Sequence, residues 1–227
     1  MIKLYWWCKV SKGKIIVVEG ACDGIGKSTQ YNLLKEKLGD NVVTHHFPTY
    51  NSYQGKGVEE YLSGHYGNVS ELSPYFINNL YAYDRVVTWQ TKLKEKYYQG
   101  NTILLDRYTT SSIIYQSCLI EDLDERKKFI DYVIDYEYNK LGIGKPDKVI
   151  FLTAPFDIVT SLRNKRKNND GITNDIHEKD LDFMKKVYAN ALFVAKYLNW
   201  DIIECQEEDH FKSIEDIHKD ICKNISD

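Results

Sequence analysis

"IIVVEGACDGIGKSTQ", residues 15–30, decides the fold. β-Branched residues run up to Glu19, small residues follow, and Lys27 opens the helix-like stretch "KSTQYNLLKEKL". Strand, glycine-rich turn and helix in this order let backbone N–H groups converge on phosphate oxygens, with the positive end of the helix behind them. The usual spacing places about four residues between the two glycines. Here five lie between Gly20 and Gly26. Gly24, Gly26, Lys27 and Ser28 keep their mutual spacing, so the surplus falls at Ala21–Cys22, on the strand side. Asp23, Gly24, Ile25, Gly26, Lys27, Ser28 and Thr29 are thus read as a nucleotide cradle. Lys27 is placed to reach the terminal phosphates, and the Ser28 hydroxyl to ligate Mg²⁺.

Outward from this loop, short apolar runs alternate with helical patterns. The runs 14–19, 41–47, 101–106, 147–153 and 200–205 read as buried parallel strands. Helices are expected at 26–38, at 73–99 with Ser73 as cap and Pro74 at its first position, and at 124–141, 176–198 and 213–225. This alternation predicts an α/β fold: a five-stranded, mostly parallel sheet with helices on both faces. Ligands of such sheets bind at the carboxyl ends of the strands.

The chain has 227 residues, enough for one domain, with residues 1–12 as an N-terminal extension. The net charge of −3 supplies no general field for nucleic acid, so no nucleic-acid partner is expected. The five cysteines are scattered without a C-x-x-C pair, which argues against a disulfide framework or a zinc site and fits a reducing compartment. No run approaches the ~20 apolar residues that span a bilayer. A cytoplasmic location with no membrane partner is expected.

The segments after the strands carry the remaining candidates. "LLDRYTTSSIIYQ" (104–116) puts Asp106 and Arg107 at a buried strand end, where a charged pair is costly unless it serves a ligand. Asp106 is placed to order a Mg²⁺-bound water and Arg107 to fork two phosphate oxygens. In "LYAYDR", Tyr81 and Arg85 lie four residues apart on one helix face, an aromatic beside a cation that suits a nucleobase. Taken alone, such a pair is more often a core ring beside a surface charge. The basic, polar segment 163–180 lies between two helices and reads either as a solvated loop or as a closing lid carrying arginines.

Taken together, "EGACDGIGKSTQ", "FPTY", "LYAYDR", "LLDRYTTSSIIYQ", "DYEYNKLGIGKPDKVIFL" and "DIHEKDLDF" resemble the thymidylate kinase family over roughly residues 13–225. The resemblance implies a P-loop kinase fold that phosphorylates dTMP to dTDP with ATP and Mg²⁺, in dTTP synthesis, as a homodimer. It implies Lys27 and Ser28 as the phosphate-loop lysine and the Mg²⁺-binding hydroxyl. Asp23 would hold the sugar 3′-hydroxyl, and Arg107 the acceptor phosphate. Tyr108 would lie near the sugar 2′ position, Tyr81 would stack on thymine and Arg85 would reach its O4. Ser111 and Ser112 would line the base pocket, with Pro48 under it, and Arg163 and Arg166 would act from the lid.

Two features depart from the family's pattern: the extra loop residue, and Thr49, where many members carry an arginine that grips the monophosphate. Two other functions are compatible with the same residues. One is a deoxynucleoside kinase using Glu19 as a base on a 5′-hydroxyl. The other is an inactive nucleotide-binding module.

Overall fold

A computed structural model describes residues 12–22, 24–170, 181–208 and 210–225, the stretch 164–170 by its backbone alone. The five expected strands form one sheet: β1 (Ile15–Gly20), β2 (Val42–His46), β3 (Thr102–Asp106), β4 (Lys148–Thr153) and β5 (Asp201–Glu204). Their order is β2-β3-β1-β4-β5, and every pairing is parallel. Helices cover both faces, so the inner strands need no polar alternation, and β1 is buried at every position.

The two-residue period of the strands sorts this apolar set. Ile16, Val18, Leu104, Ile150 and Leu152 face one side, where Leu34 of α1 (Lys27–Leu38) and Ile217 and Ile221 of α9 (Ile214–Ile225) meet them. Ile15, Val17, Ile103 and Leu105 face the other and pack on Trp89 and Leu93. Full burial of each such side chain contributes roughly 1.5–3 kcal/mol. A third cluster joins α5 (Thr109–Ser117), α6 (Leu123–Ile134) and α8 (Leu181–Tyr197) through Ile113, Ile114, Phe129, Ile130, Val187 and Ala191.

The helices differ from the sequence expectation in four places. The stretch 73–99 is α3 (Pro74–Thr88), a wide π turn (Trp89–Leu93) and α4 (Lys94–Tyr98). The widened turn lets Trp89 pack so tightly that a Cβ on Gly144 would overlap its ring and Ile15. The stretch 124–141 is α6, capped by Asp122 accepting from the N–H groups of Asp124 and Glu125, and then a second π turn (Asp135–Lys140). Two helices were not foreseen, α2 (Lys56–Leu62) and α5. Finally, α7 (Phe156–Asp170) runs into the basic segment, so 163–170 is helix rather than loop. Residues 171–180, the rest of the expected lid, lie outside the described residues, as do residues 1–11 of the extension; the helix expected from 176 is described from Leu181. A small antiparallel pair, β6 (Gln206–Glu207) and β7 (His210–Phe211), follows β5.

Candidate active site

The carboxyl ends of β1, β2 and β3 open into a cleft of about 280 Å³. Beside it, the β1–β4 ladder runs one residue past β1, with the Ala21 N–H donating to the Leu152 carbonyl at 3.0 Å. Ala21 and Cys22 are both buried. The surplus residue is thus absorbed on the strand side, ahead of the turn. Gly24 and Gly26 then take φ of 98° and 90°, a region glycine enters without strain. Asp23 lies outside the described residues. Ile25 is buried, and Gly26 leads into α1.

Lys27 is the first residue of α1, where the sequence places it, and is only 8% exposed. Its Nζ donates to Asp106 Oδ1, while His46 Nδ1 meets Asp106 Oδ2 at 3.0 Å. Burial alone would raise the Asp106 carboxyl. The His46 hydrogen bond and the Lys27 charge outweigh it and hold the group below the usual carboxylate range. Burial, and then the Arg107 charge, pull Lys27 below its ordinary value. Ser28 and Thr29 are exposed at the start of α1, and Ser28 lines the cleft.

Arg107 adopts φ 65°, a region an arginine seldom occupies. The bend turns its guanidinium off the sheet into the cleft. There it lies 3.5 Å from Glu19 Oε1 and 5.7 Å from the centre of the Tyr115 ring. Glu19 is itself fully buried and accepts from Thr110 Oγ1 at 2.9 Å and Ser111 Oγ at 2.5 Å.

The rest of the cleft lining is largely apolar and aromatic. Tyr81, Pro48, Leu62, Phe183 and Val187 form it, together with Ser111, Ser112, Tyr115 and Gln116 along one face of α5. Tyr81 and Arg85 do meet, at 6.0 Å. Arg85, however, is 1% exposed and lies behind the wall. Glu137 takes its Nε and Nη2 at 2.7 Å each, and Nη2 also donates to Ser112 Oγ at 2.9 Å. The group that lines the cleft at this point is therefore the Ser112 hydroxyl, not the Arg85 guanidinium.

Tyr108 likewise differs from the sequence expectation. It is fully buried, donates its hydroxyl to the Gly144 carbonyl at 3.0 Å and packs on Phe47 and Tyr138. Tyr115 stands in the cleft in its place. Thr49 points away as well: its N–H is held by Asp84 at 2.7 Å and its hydroxyl meets His45 at 2.9 Å. The neighbouring Tyr50 faces the cleft and stacks near His46, with ring centres 6.3 Å apart.

Arg163 is buried, with Nη1 against Met184 Sδ. A Cβ built on Gly24 would lie 3.0 Å from the Arg163 Cα, so α7 rests directly on the phosphate loop. The Arg166 side chain lies outside the described residues. Sequence reasoning missed His46, Tyr50, Tyr115 and Gln116. A signal for the last two existed: they stand four residues after Ser111 and Ser112, the helical spacing of one face.

A family model described as thymidylate kinase matches residues 18–221. The chain belongs to the thymidylate kinase family. A probable thymidylate kinase of Methanocaldococcus jannaschii is 36% identical over 213 residues, covering 92% of this chain and 96% of that protein. The solved thymidylate kinase of Candida albicans superposes with a TM-score of 0.70 at 25% identity, over 95% of this chain and 92% of that one. The thymidylate kinase of Ehrlichia chaffeensis shares the fold, with a TM-score of 0.66 at 21% identity over 94% of this chain and 99% of its own. Among the described residues no helix is long and apolar enough to cross a membrane.

Proposed function

We propose that the protein transfers the terminal phosphoryl group of ATP to dTMP, yielding dTDP for dTTP synthesis. The observation that carries this reading is one cleft whose lining joins two chemistries: the charged and hydroxyl groups of Lys27, Ser28, Asp106 and Arg107, and the ring of Tyr81 with the serine-bearing face of α5. A charged group and a flat ring joined by a sugar span such a site.

Phosphoryl transfer asks the protein for position and charge rather than covalent chemistry. Arg107 holds the acceptor phosphate, kept in its cleft-facing orientation by Glu19 and Tyr115. Lys27 exchanges Asp106 for the phosphate oxygens of ATP, cradled by Gly24, Ile25, Gly26 and Thr29. Ser28 Oγ and the Asp106 carboxylate are oxygen donors on one cleft, the chemistry Mg²⁺ requires. When bound, Mg²⁺ neutralises charge on the phosphate oxygens. Tyr81 stacks on the base above Pro48, with Ser111 and Ser112 beside it. Asp23 holds the 3′-hydroxyl, and Arg163 and Arg166 serve from the root of the lid. Arg85 acts through Ser112.

The whole chain is taken as one kinase domain, acting in the cytoplasm. The exposed rings of Tyr75, Phe76 and Tyr83 on α3 support a homodimer. Glu19 weighs against the deoxynucleoside kinase, because Thr110, Ser111 and Arg107 already engage its oxygens. A coupled assay for ADP release with a panel of nucleoside monophosphates tests the reading. Turnover greatest with dTMP is expected. Turnover of thymidine but not dTMP would move the assignment to the rival kinase, and ATP binding without turnover would move it to an inactive module.

A further inference from the structure

Asp106 is held by two side chains, one on each carboxylate oxygen: Lys27 Nζ donates to Oδ1, and His46 Nδ1 meets Oδ2 at 3.0 Å. A carboxylate that faces an ammonium group only accepts, so His46 Nδ1 carries the proton and donates. The two holders are anchored differently. Lys27 reaches Asp106 from α1 on a flexible four-carbon stem. His46 stands directly opposite Asp106 in the parallel β2–β3 pairing. The next residue, Phe47, ties the strands again, its N–H donating to the Asp106 carbonyl at 3.0 Å. The His46 ring is half-exposed and lines the cleft, whereas the carboxylate it holds is only 9% exposed.

In the kinase reading above, Lys27 exchanges Asp106 for phosphate oxygens. That exchange takes the partner from Oδ1, and a carboxylate with one oxygen released can turn about its own side-chain bonds. We propose that His46 is a positioning residue for phosphoryl transfer: it keeps hold of Asp106 Oδ2 while Lys27 leaves Oδ1 for the nucleotide, so the released oxygen stays in place and open to Mg²⁺. Hydrogen-bond partners of a metal-binding carboxylate commonly matter about ten- to a hundredfold. This rests on the kinase reading and adds a residue that acts only through Asp106.

The test uses three variants of the full-length enzyme. His46→Leu removes the donor, His46→Asn keeps an N–H close to the Nδ1 position, and His46→Gln carries its N–H one bond too far. Two quantities are read: kcat and KM on dTMP, and the Kd of ATP by calorimetry with Mg²⁺ and with EDTA. His46→Leu should lose about ten- to a hundredfold in kcat with little change in the KM for dTMP, and the tightening of ATP by Mg²⁺ should shrink by a similar factor. His46→Asn should recover most of both losses and His46→Gln little of either, a comparison that still decides if the Leu variant folds poorly. Wild-type kcat and Mg²⁺ dependence in His46→Leu, or Asn and Gln variants impaired alike, would overturn the proposal. Failure of the wild-type enzyme to phosphorylate dTMP would instead remove the kinase reading, while the calorimetry would still report whether His46 supports the Mg²⁺-dependent step.

Discussion

Arg85 and Glu137 meet through two charge-assisted hydrogen bonds of 2.7 Å, and neither side chain reaches solvent. The Thr109 hydroxyl donates to the same carboxylate at 2.9 Å, so α3, α5 and the π turn after α6 converge on one point behind the cleft. Removing one partner strands a buried charge. Glu137→Ala should cost about 3–5 kcal/mol of stability. The double change Arg85→Met with Glu137→Leu should cost well under the sum of the single changes, because no charge is left alone. Urea denaturation of the three variants checks this. Additive losses would mean that the pair is not coupled.

Lys27→Met should lower kcat by about 10²–10³-fold, the usual loss on removing one preorganised stabiliser of transition-state charge. The fold should persist, since Asp106 keeps its hydrogen bond to His46. Turnover near wild type, with an unchanged near-ultraviolet dichroism spectrum, would remove Lys27 from the reaction.

The residue after the cis Phe47–Pro48 bond is the wrong place to add a cation. Thr49→Arg would displace the hydroxyl from His45 and crowd the Asp84 contact, so it should destabilise the protein without lowering the KM for the monophosphate. Tyr50→Arg, at the cleft-facing position, should lower that KM about ten- to a hundredfold, the worth of a hydrogen bond to a charged group. Steady-state kinetics on both variants separates the two positions.

Tyr108 and Tyr115 should divide cleanly by assay. Tyr108→Ala empties a fully buried site and should cost about 3–5 kcal/mol while leaving the preference for deoxyribose over ribose unchanged. Tyr115→Ala opens the cleft beside Arg107 and should narrow that preference. A narrowed dTMP:UMP ratio in the Tyr108 variant alone would reverse the assignment.

His45 makes stability depend on acid. Burial, and then the Lys92 charge, lower its pKa from 6.5 to about 4. Because the folded value lies below the unfolded one, the unfolded chain binds the proton first. The stability present above pH 6.5 should fall as the pH drops from 6.5 toward 4. His45→Asn should flatten that slope in urea titrations run across the same window.

The strands and the phosphate loop were legible because their signals are local: β-branched runs, glycines and a Lys-Ser pair within a few residues. Tyr108 and Tyr115 show where locality ends. Both sit in the "DRYTTSSIIYQ" stretch, and which one faces the cleft depends on the bend at Arg107, whose positive φ no arginine advertises. The Arg85–Glu137 pair spans 52 residues and is delivered by a π turn, which has no sequence signature of its own. Thr49 was misplaced for a related reason: the turn after β2 hands the cleft to its neighbour, Tyr50.

Gly24 touches α7 with no side chain between them: a methyl group there would stand 3.0 Å from the Arg163 Cα and 3.1 Å from its N. Two backbones in such contact cannot shift independently. If the loop tightens around phosphate, the helix must follow or open a void, and if the helix tilts, the loop must yield. Gly24 is thus a fulcrum, and the basic stretch that begins at Arg163 is the arm of a lever whose short end rests on the glycine-rich loop.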